Sequence, residues 1–148
     1  MRVLIVKPSS LGDILHTFPA VYALQQAFPQ LDLSWVVNRS LAEIVEMLPG
    51  IDRVIAFPRE ELGVFKGCSA LRSFRRELLA QPYDLALDFQ GLLRSALICK
   101  FSKAPIRVGF DTAREGAAFF YHHRIKLPAE IRHAVEKNLF LARSYFRL

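Results

Sequence analysis

Lys7, Ser9, Ser10, Gly12 and Asp13 fall within seven residues of one another near the start of this 148-residue chain. They supply a cation, two hydroxyls, a glycine and a carboxylate, a set suited to accepting a proton from a hydroxyl and to holding an anion. Spacing alone leaves Asp13 two readings. Ser10-Leu11-Gly12-Asp13 fits the Ser/Thr-x-x-Asp/Glu pattern of a capping box, so the carboxylate could close a helix terminus or act as a catalytic base. His16 follows three residues later on the same helical face, where it either pairs with Asp13 or is structural.

The elements around this cluster give it a position. Val3, Leu4, Ile5 and Val6 form a continuous apolar run, as in a strand covered on both faces, and a helix follows the polar loop. The carboxyl end of such a strand is where open α/β folds place ligands. Further along, residues 33–37, 53–57, 84–89, 106–108 and 124–127 read as strands. Residues 41–48, 70–80, 92–101 and 133–148 read as helices, with loop at 58–68 and an irregular stretch at 110–123. Strands alternating with helices of this size predict an α/β Rossmann-like fold with a doubly wound parallel sheet. The last helix carries Val135, Leu139, Ala142 and Phe146 on one stripe and shows no glycine, asparagine or proline stop signal. That pattern predicts a helix that continues into, or packs against, something beyond it. The alternative is a terminal helix packed on this domain.

Length bounds the chain to one domain with a proper core, and 52% hydrophobic against 23% charged residues excludes disorder. No apolar run approaches the roughly 18 residues needed to cross a bilayer, which predicts a cytoplasmic chain. Cys68 and Cys99 have no paired spacing, so neither a disulfide framework nor a zinc site is expected. The net charge of +6 is uneven: residues 1–58 carry −1 and residues 59–148 carry +7. A basic face suits an anionic partner, whether nucleic acid, a membrane surface or a phosphorylated substrate, or serves solubility alone. The loop has one glycine, Gly12, so the G-x-G-x-x-G dinucleotide fingerprint and the phosphate-binding P-loop are both absent.

Four segments in order carry a family resemblance. KPSSLGDILHTFPAV resembles the opening signature of glycosyltransferase family 9, the lipopolysaccharide heptosyltransferases. YDLALDFQGLLRSAL (83–97) resembles the family's strand ending in D-x-Q-G-L, RVGFDTAREGAAFFYHHR (107–124) its T-A-R-E loop, and HAVEKN (133–138) its H-A-V-E-R segment. The resemblance implies the amino-terminal, acceptor-binding half of a two-domain GT-B enzyme. On that reading residues 1–148 are one Rossmann-like domain, and the carboxyl-terminal nucleotide-sugar domain is absent from this chain.

Family members transfer a heptose from ADP-heptose to the Kdo region of the lipopolysaccharide inner core, with inversion and without a required metal. The resemblance therefore implies no cofactor, a donor bound mainly by the missing domain, and Kdo-lipid A as acceptor. It also implies a peripheral location at the cytoplasmic face of the inner membrane, and no nucleic-acid partner. The family's general base maps onto Asp13, with Lys7, Ser10, Gly12 and His16 around it. Acceptor anions suit arginine, which offers them a bidentate fork. Arg114 in the T-A-R-E match comes first, followed by Gln90, Arg94 and Arg59. Arg72, Arg75 and Arg76 read as an exposed face that could also meet anionic lipid. One departure stands out: the closest branch of the family has a dense Arg/Lys and Trp cluster after its third strand. Here Pro58-Arg59-Glu60-Glu61-Leu62 stands instead, with Lys66 nearby. The chain alone is expected not to turn over. The other classes left open are a non-catalytic module that holds an anionic glycolipid and, less well supported, a basic nucleic-acid binder.

Overall fold

Four consecutive side chains of the first strand, Val3 to Val6, are fully buried, and their position in the sheet explains why. In the computed structural model, which describes residues 1–62 and 67–148, β1 (Arg2–Val6) is a central strand hydrogen-bonded on both edges. Its neighbours are β2 (Asp32–Asn38) and β4 (Leu85–Asp88), and β3 (Arg53–Phe57), β5 (Ile106–Phe110) and β6 (His123–Ile125) extend the sheet outward. All pairings are parallel and the order is β3-β2-β1-β4-β5-β6. This is the doubly wound arrangement, whose strand order reverses between β1 and β4.

Helices cover both faces. Val3 and Ile5 point into a core shared with α2 (Phe18–Ala27), α3 (Ala42–Glu46) and α6 (Ala134–Phe146). Leu4 and Val6 point the opposite way, toward α4 (Gly67–Leu78) and α5 (Leu93–Phe101). The period of two along a strand thus divides one apolar run between two cores.

Several boundaries differ from the sequence reading. The first helix is two: α1 (Leu11–Leu15) ends at His16, and α2 starts after Thr17 with Pro19 in its opening turn. Proline has no N–H to donate, so it suits a helix start and breaks a helix interior. The expected helix at 41–48 is a 3₁₀ turn (Arg39–Leu41) followed by the short α3. The loop expected at 58–68 holds a 3₁₀ turn (Arg59–Glu61), tied back by an Arg39–Glu61 ion pair and a 2.9 Å bond from Ser40 Oγ to Glu60. Residues 63–66 of that loop, Lys66 among them, lie outside the described residues. Strand β5 runs on to Phe110, and β6 sits at His123–Ile125 instead of 124–127.

The apolar stripe of α6 packs on this chain, with Ala142 fully buried and Val135, Leu139 and Phe146 partly buried. Leu141 and Ala142 are fully buried in the core shared with α2, and the Phe146 ring meets Phe28 at 5.4 Å. Arg147, in the left-handed region at φ 57°, turns the chain out of the helix.

Candidate functional site

The carboxyl ends of β1 and β4 flank the point where the strand order reverses, and a cleft of about 260 Å³ opens there. Lys7 comes from the end of β1, Asp13 from the first turn of α1, and Gln90 and Gly91 from the turn after β4. Arg114 and Lys137 reach it from the loop after β5 and from α6. Lys7, Asp13, Gln90 and Arg114 are thus brought together, while Arg59 and Arg94 line a separate, larger groove. Gln90 lines both spaces.

The capping-box reading of Asp13 holds at the level of single atoms. Its Oδ2 accepts the Ser10 backbone N–H at 3.2 Å and the Ser10 hydroxyl at 2.8 Å, closing the amino terminus of α1. Oδ1 accepts no hydrogen bond from the described residues. One oxygen caps and the other is available to a ligand. Partial burial pushes this carboxyl up, but the two Ser10 bonds and the nearby charges of Lys7 and His16 outweigh it. The net result is a pKa below the ordinary value, so Asp13 is ionised at neutral pH.

Lys7 is buried, and its Nζ donates to the Phe89 carbonyl at 3.3 Å. Burial depresses its pKa, and the opposing charges of Asp13 and Asp88 only partly restore it. Gly12 is exposed, and a Cβ added there would meet no atom within 4 Å. His16 lies outside the cleft. Its carbonyl accepts the Asn138 side-chain amide at 3.1 Å, its buried Nδ1 has no partner among the described residues, and its ring centroid is 5.7 Å from that of His133. His16 is thus built into the junction between α1, α2 and α6.

Sequence reasoning passed over the group that holds the Gln90 turn. Asp88 is buried at the end of β4 and accepts four hydrogen bonds. Oδ1 takes the backbone N–H groups of Gln90 (2.9 Å) and Gly91 (3.0 Å); Oδ2 takes the hydroxyls of Ser95 (2.8 Å) and Tyr121 (2.6 Å). Burial still leaves its pKa raised, although each of these bonds favours the ionised form. A second latch joins the loop carrying Arg114 to this turn. The Arg114 N–H donates to the Gly91 carbonyl at 2.9 Å, and the Leu93 N–H donates to Glu115 at 3.1 Å. Gly91 has φ +69°, a conformation that favours glycine.

Lys137 and Asn138 were missed as well, although they lie in a segment matched to the family. Asn138 bridges the His16 carbonyl and the Thr17 hydroxyl, both at 3.1 Å. Asp88 could have been found from its spacing, since an aspartate two residues before a Gln-Gly turn is placed to accept backbone N–H groups. Among the described residues, no group of three or more His, Cys, Asp or Glu side chains is placed to hold a metal ion. No described helix is long and apolar enough to cross a membrane.

A six-stranded, all-parallel Rossmann-like sheet flanked by helices is the fold of the GT-B heptosyltransferases to which this chain is structurally similar. Residues 71–148 match the sequence profile of Glycosyltransferase family 9 (heptosyltransferase), and the chain belongs to that family. It is 41% identical to lipopolysaccharide heptosyltransferase 1 of Salmonella typhimurium over 144 residues, covering 93% of this chain and 45% of that protein. The Pseudomonas aeruginosa protein of the same name is 38% identical, with 93% and 41% covered. Escherichia coli heptosyltransferase WaaC, solved with ADP-2-deoxy-2-fluoro heptose, superposes with a TM-score of 0.87 at 36% identity, covering 97% of this chain and 48% of that one. The chain therefore spans less than half the length of these relatives.

Proposed function

We propose that this chain forms the acceptor side of an inverting heptosyltransferase that acts in lipopolysaccharide core assembly, with Asp13 as general base. The observation that carries the reading is the division of labour in the Asp13 carboxylate: Ser10 fixes Oδ2, and Oδ1 is left open at the cleft beside Lys7. A sugar hydroxyl attacking an anomeric carbon must lose its proton as the new bond forms, and an oriented carboxylate oxygen can take it. A carboxyl held below its ordinary pKa is always ready to accept but is weakly basic. Substrates that fill the cleft would displace water, and the desolvation would raise its basicity.

On this reading the donor is ADP-heptose, held mainly by a carboxyl-terminal domain outside this chain, with no separate cofactor. The fluorinated ADP-heptose in the E. coli structure supports that donor class. The acceptor is the Kdo region of a lipid A precursor, met at the cytoplasmic face of the inner membrane. Arg114 and Lys137 at the cleft supply cations for its carboxylates, and Gln90 a neutral hydrogen-bonding group. Lys7 keeps the base ionised through its charge. Ser10 orients the base, and Gly12 and His16 act through the backbone around it.

Transfer assays with ADP-heptose and Kdo-lipid A test the proposal. The chain alone gives no steady product formation. In a full-length counterpart, Asp13→Asn lowers kcat about 10²–10⁴-fold, with an unfolding midpoint close to the parent's. Turnover by the chain alone would refute the divided site, and near-parental activity of the variant would remove Asp13 from the role of base.

A further inference from the structure

The larger groove, about 790 Å³, lies between α4 and α5 on the opposite side of the Gln90 turn from Asp13. Its two ends differ in chemistry. Leu71, Phe74, Leu93, Leu97 and Phe101 line an apolar slot between the helices, and Leu71, Leu93 and Phe101 are exposed despite being large hydrophobic residues. Such a slot is of the size that holds small-molecule ligands. The other end, at the carboxyl ends of the strands, is polar: Ser9, Asn38, Arg59, Gln90 and Arg94.

Asn38 is the most telling of these. It is only 8% exposed, it lines the groove, and its Oδ1 has no hydrogen-bond partner among the described residues. Buried acceptors are nearly always satisfied, so this sealed, unpaired oxygen leaves the Asn38 amide free to turn toward a ligand hydroxyl in the groove. The cationic side is also unspent. Arg59, Arg75 and Arg94 line the groove and make no ion pair with described residues, and the Arg94 guanidinium rests 5.9 Å from the Phe57 ring centroid. Glu115, the one lining carboxylate among the described residues, already accepts the Leu93 N–H.

We infer that this groove takes the fatty-acyl portion of an anionic, hydroxyl-bearing glycolipid. The chain packs between α4 and α5, a headgroup hydroxyl donates to Asn38 Oδ1, and headgroup anions meet Arg59 and Arg94. This rests on the transferase reading for its choice of occupant. Because Gln90 lines both spaces, a lipid in the groove presents its sugar end toward Asp13. The acceptor is then gripped at two chemically different points.

Calorimetric titration of the whole chain with 1-lauroyl lysophosphatidic acid, kept below its critical micelle concentration, tests the inference. Binding is expected to saturate at one lipid per chain. Glycerol 3-phosphate, which lacks the tail, and dodecyl maltoside, which lacks the charge, bind at least about tenfold more weakly. Buried methylenes tighten binding by up to about fourfold each, so the octanoyl homologue is weaker too. Leu71→Glu and Leu93→Glu change exposed positions that the core does not need, and each weakens lipid binding about tenfold with unchanged unfolding midpoints. Asn38→Ala weakens the lysophosphatidic acid, whose glycerol hydroxyl is the donor, and leaves laurate, which has a tail and a charge but no hydroxyl, unaffected. Kdo-lipid A displaces the probe. Indifference to both Glu variants, or no dependence on tail length, would overturn the groove. Failure of Kdo-lipid A to compete would overturn its assignment to the acceptor. Because no transfer is read, failure here leaves Asp13's proposed role standing, and an inactive enzyme leaves the groove standing.

Discussion

Removing a single hydroxyl, by Tyr121→Phe, probes the buried carboxylate behind the cleft. Tyr121 Oη donates to Asp88 Oδ2 at 2.6 Å, and both residues are buried. The phenyl ring keeps its packing, and Asp88 keeps its bonds from Gln90, Gly91 and Ser95. A hydrogen bond to a charged group is worth about 1.5–3 kcal/mol, against about 0.5–1.5 for a neutral pair. For a domain of this size that loss lowers Tm by about 4–10 °C wherever Asp88 is ionised. The sign of the pH dependence follows from Asp88. Its folded pKa already lies above its ordinary value, so parental stability falls as pH rises from the ordinary carboxyl range through the folded value. The Tyr121 bond favours the ionised form, so losing it raises the folded pKa further and extends that fall to higher pH. Urea unfolding at about pH 4 and about pH 8 should therefore give a loss near 1 kcal/mol in acid and about 2–3 in base. Equal losses at the two pH values would refute the claim that Tyr121 stabilises an ionised Asp88.

Gly109→Ala places a Cβ within 2.3–2.8 Å of three atoms of the Tyr121 ring; a rigid ring cannot yield locally, so a loss of at least about 1–3 kcal/mol is expected by urea unfolding. Combined with Tyr121→Phe that loss should be less than additive, since both act on the Asp88 bond. Asn138→Ala removes the bonds to the His16 carbonyl and Thr17 hydroxyl, which costs about 1–3 kcal/mol and raises amide exchange in α1 before the sheet. Lys7 has a folded pKa below 10.5, so stability rises with pH between that lowered value and 10.5. Lys7→Met should flatten that rise in a pH series of unfolding midpoints.

What the sequence disclosed, and what it hid, follows from how far each feature reaches along the chain. The four-residue run Val3 to Val6 announces a strand buried on both sides, and the polar cluster after it announces the cleft, because both are local. The break before Pro19 was also local and readable, yet periodicity carried the helix across it. The turn bonds of Asp88 were readable from its spacing, but its bonds from Ser95 and Tyr121 were hidden because those residues come from α5 and from the end of the 3₁₀ turn before β6. Asn138 was hidden more deeply, since it meets His16 across 122 positions. The arginines were legible as cations but not as members of one space or another: Arg114 faces the Asp13 cleft, whereas Arg59 and Arg94 line the groove beyond Gln90.

The placement of β1 governs when the cleft can exist at all. Its partners join it from residues 32–38 and 85–88, so one edge can be satisfied early in synthesis and the other only much later. Until β4 has emerged from the ribosome, Val3 to Val6 present an open edge, and Lys7 has neither the Phe89 carbonyl nor Asp88 beside it. Long-range pairing of this kind slows folding. The loop that carries Asp13 is therefore made well before β4, yet its cleft is complete only when α6 closes over it.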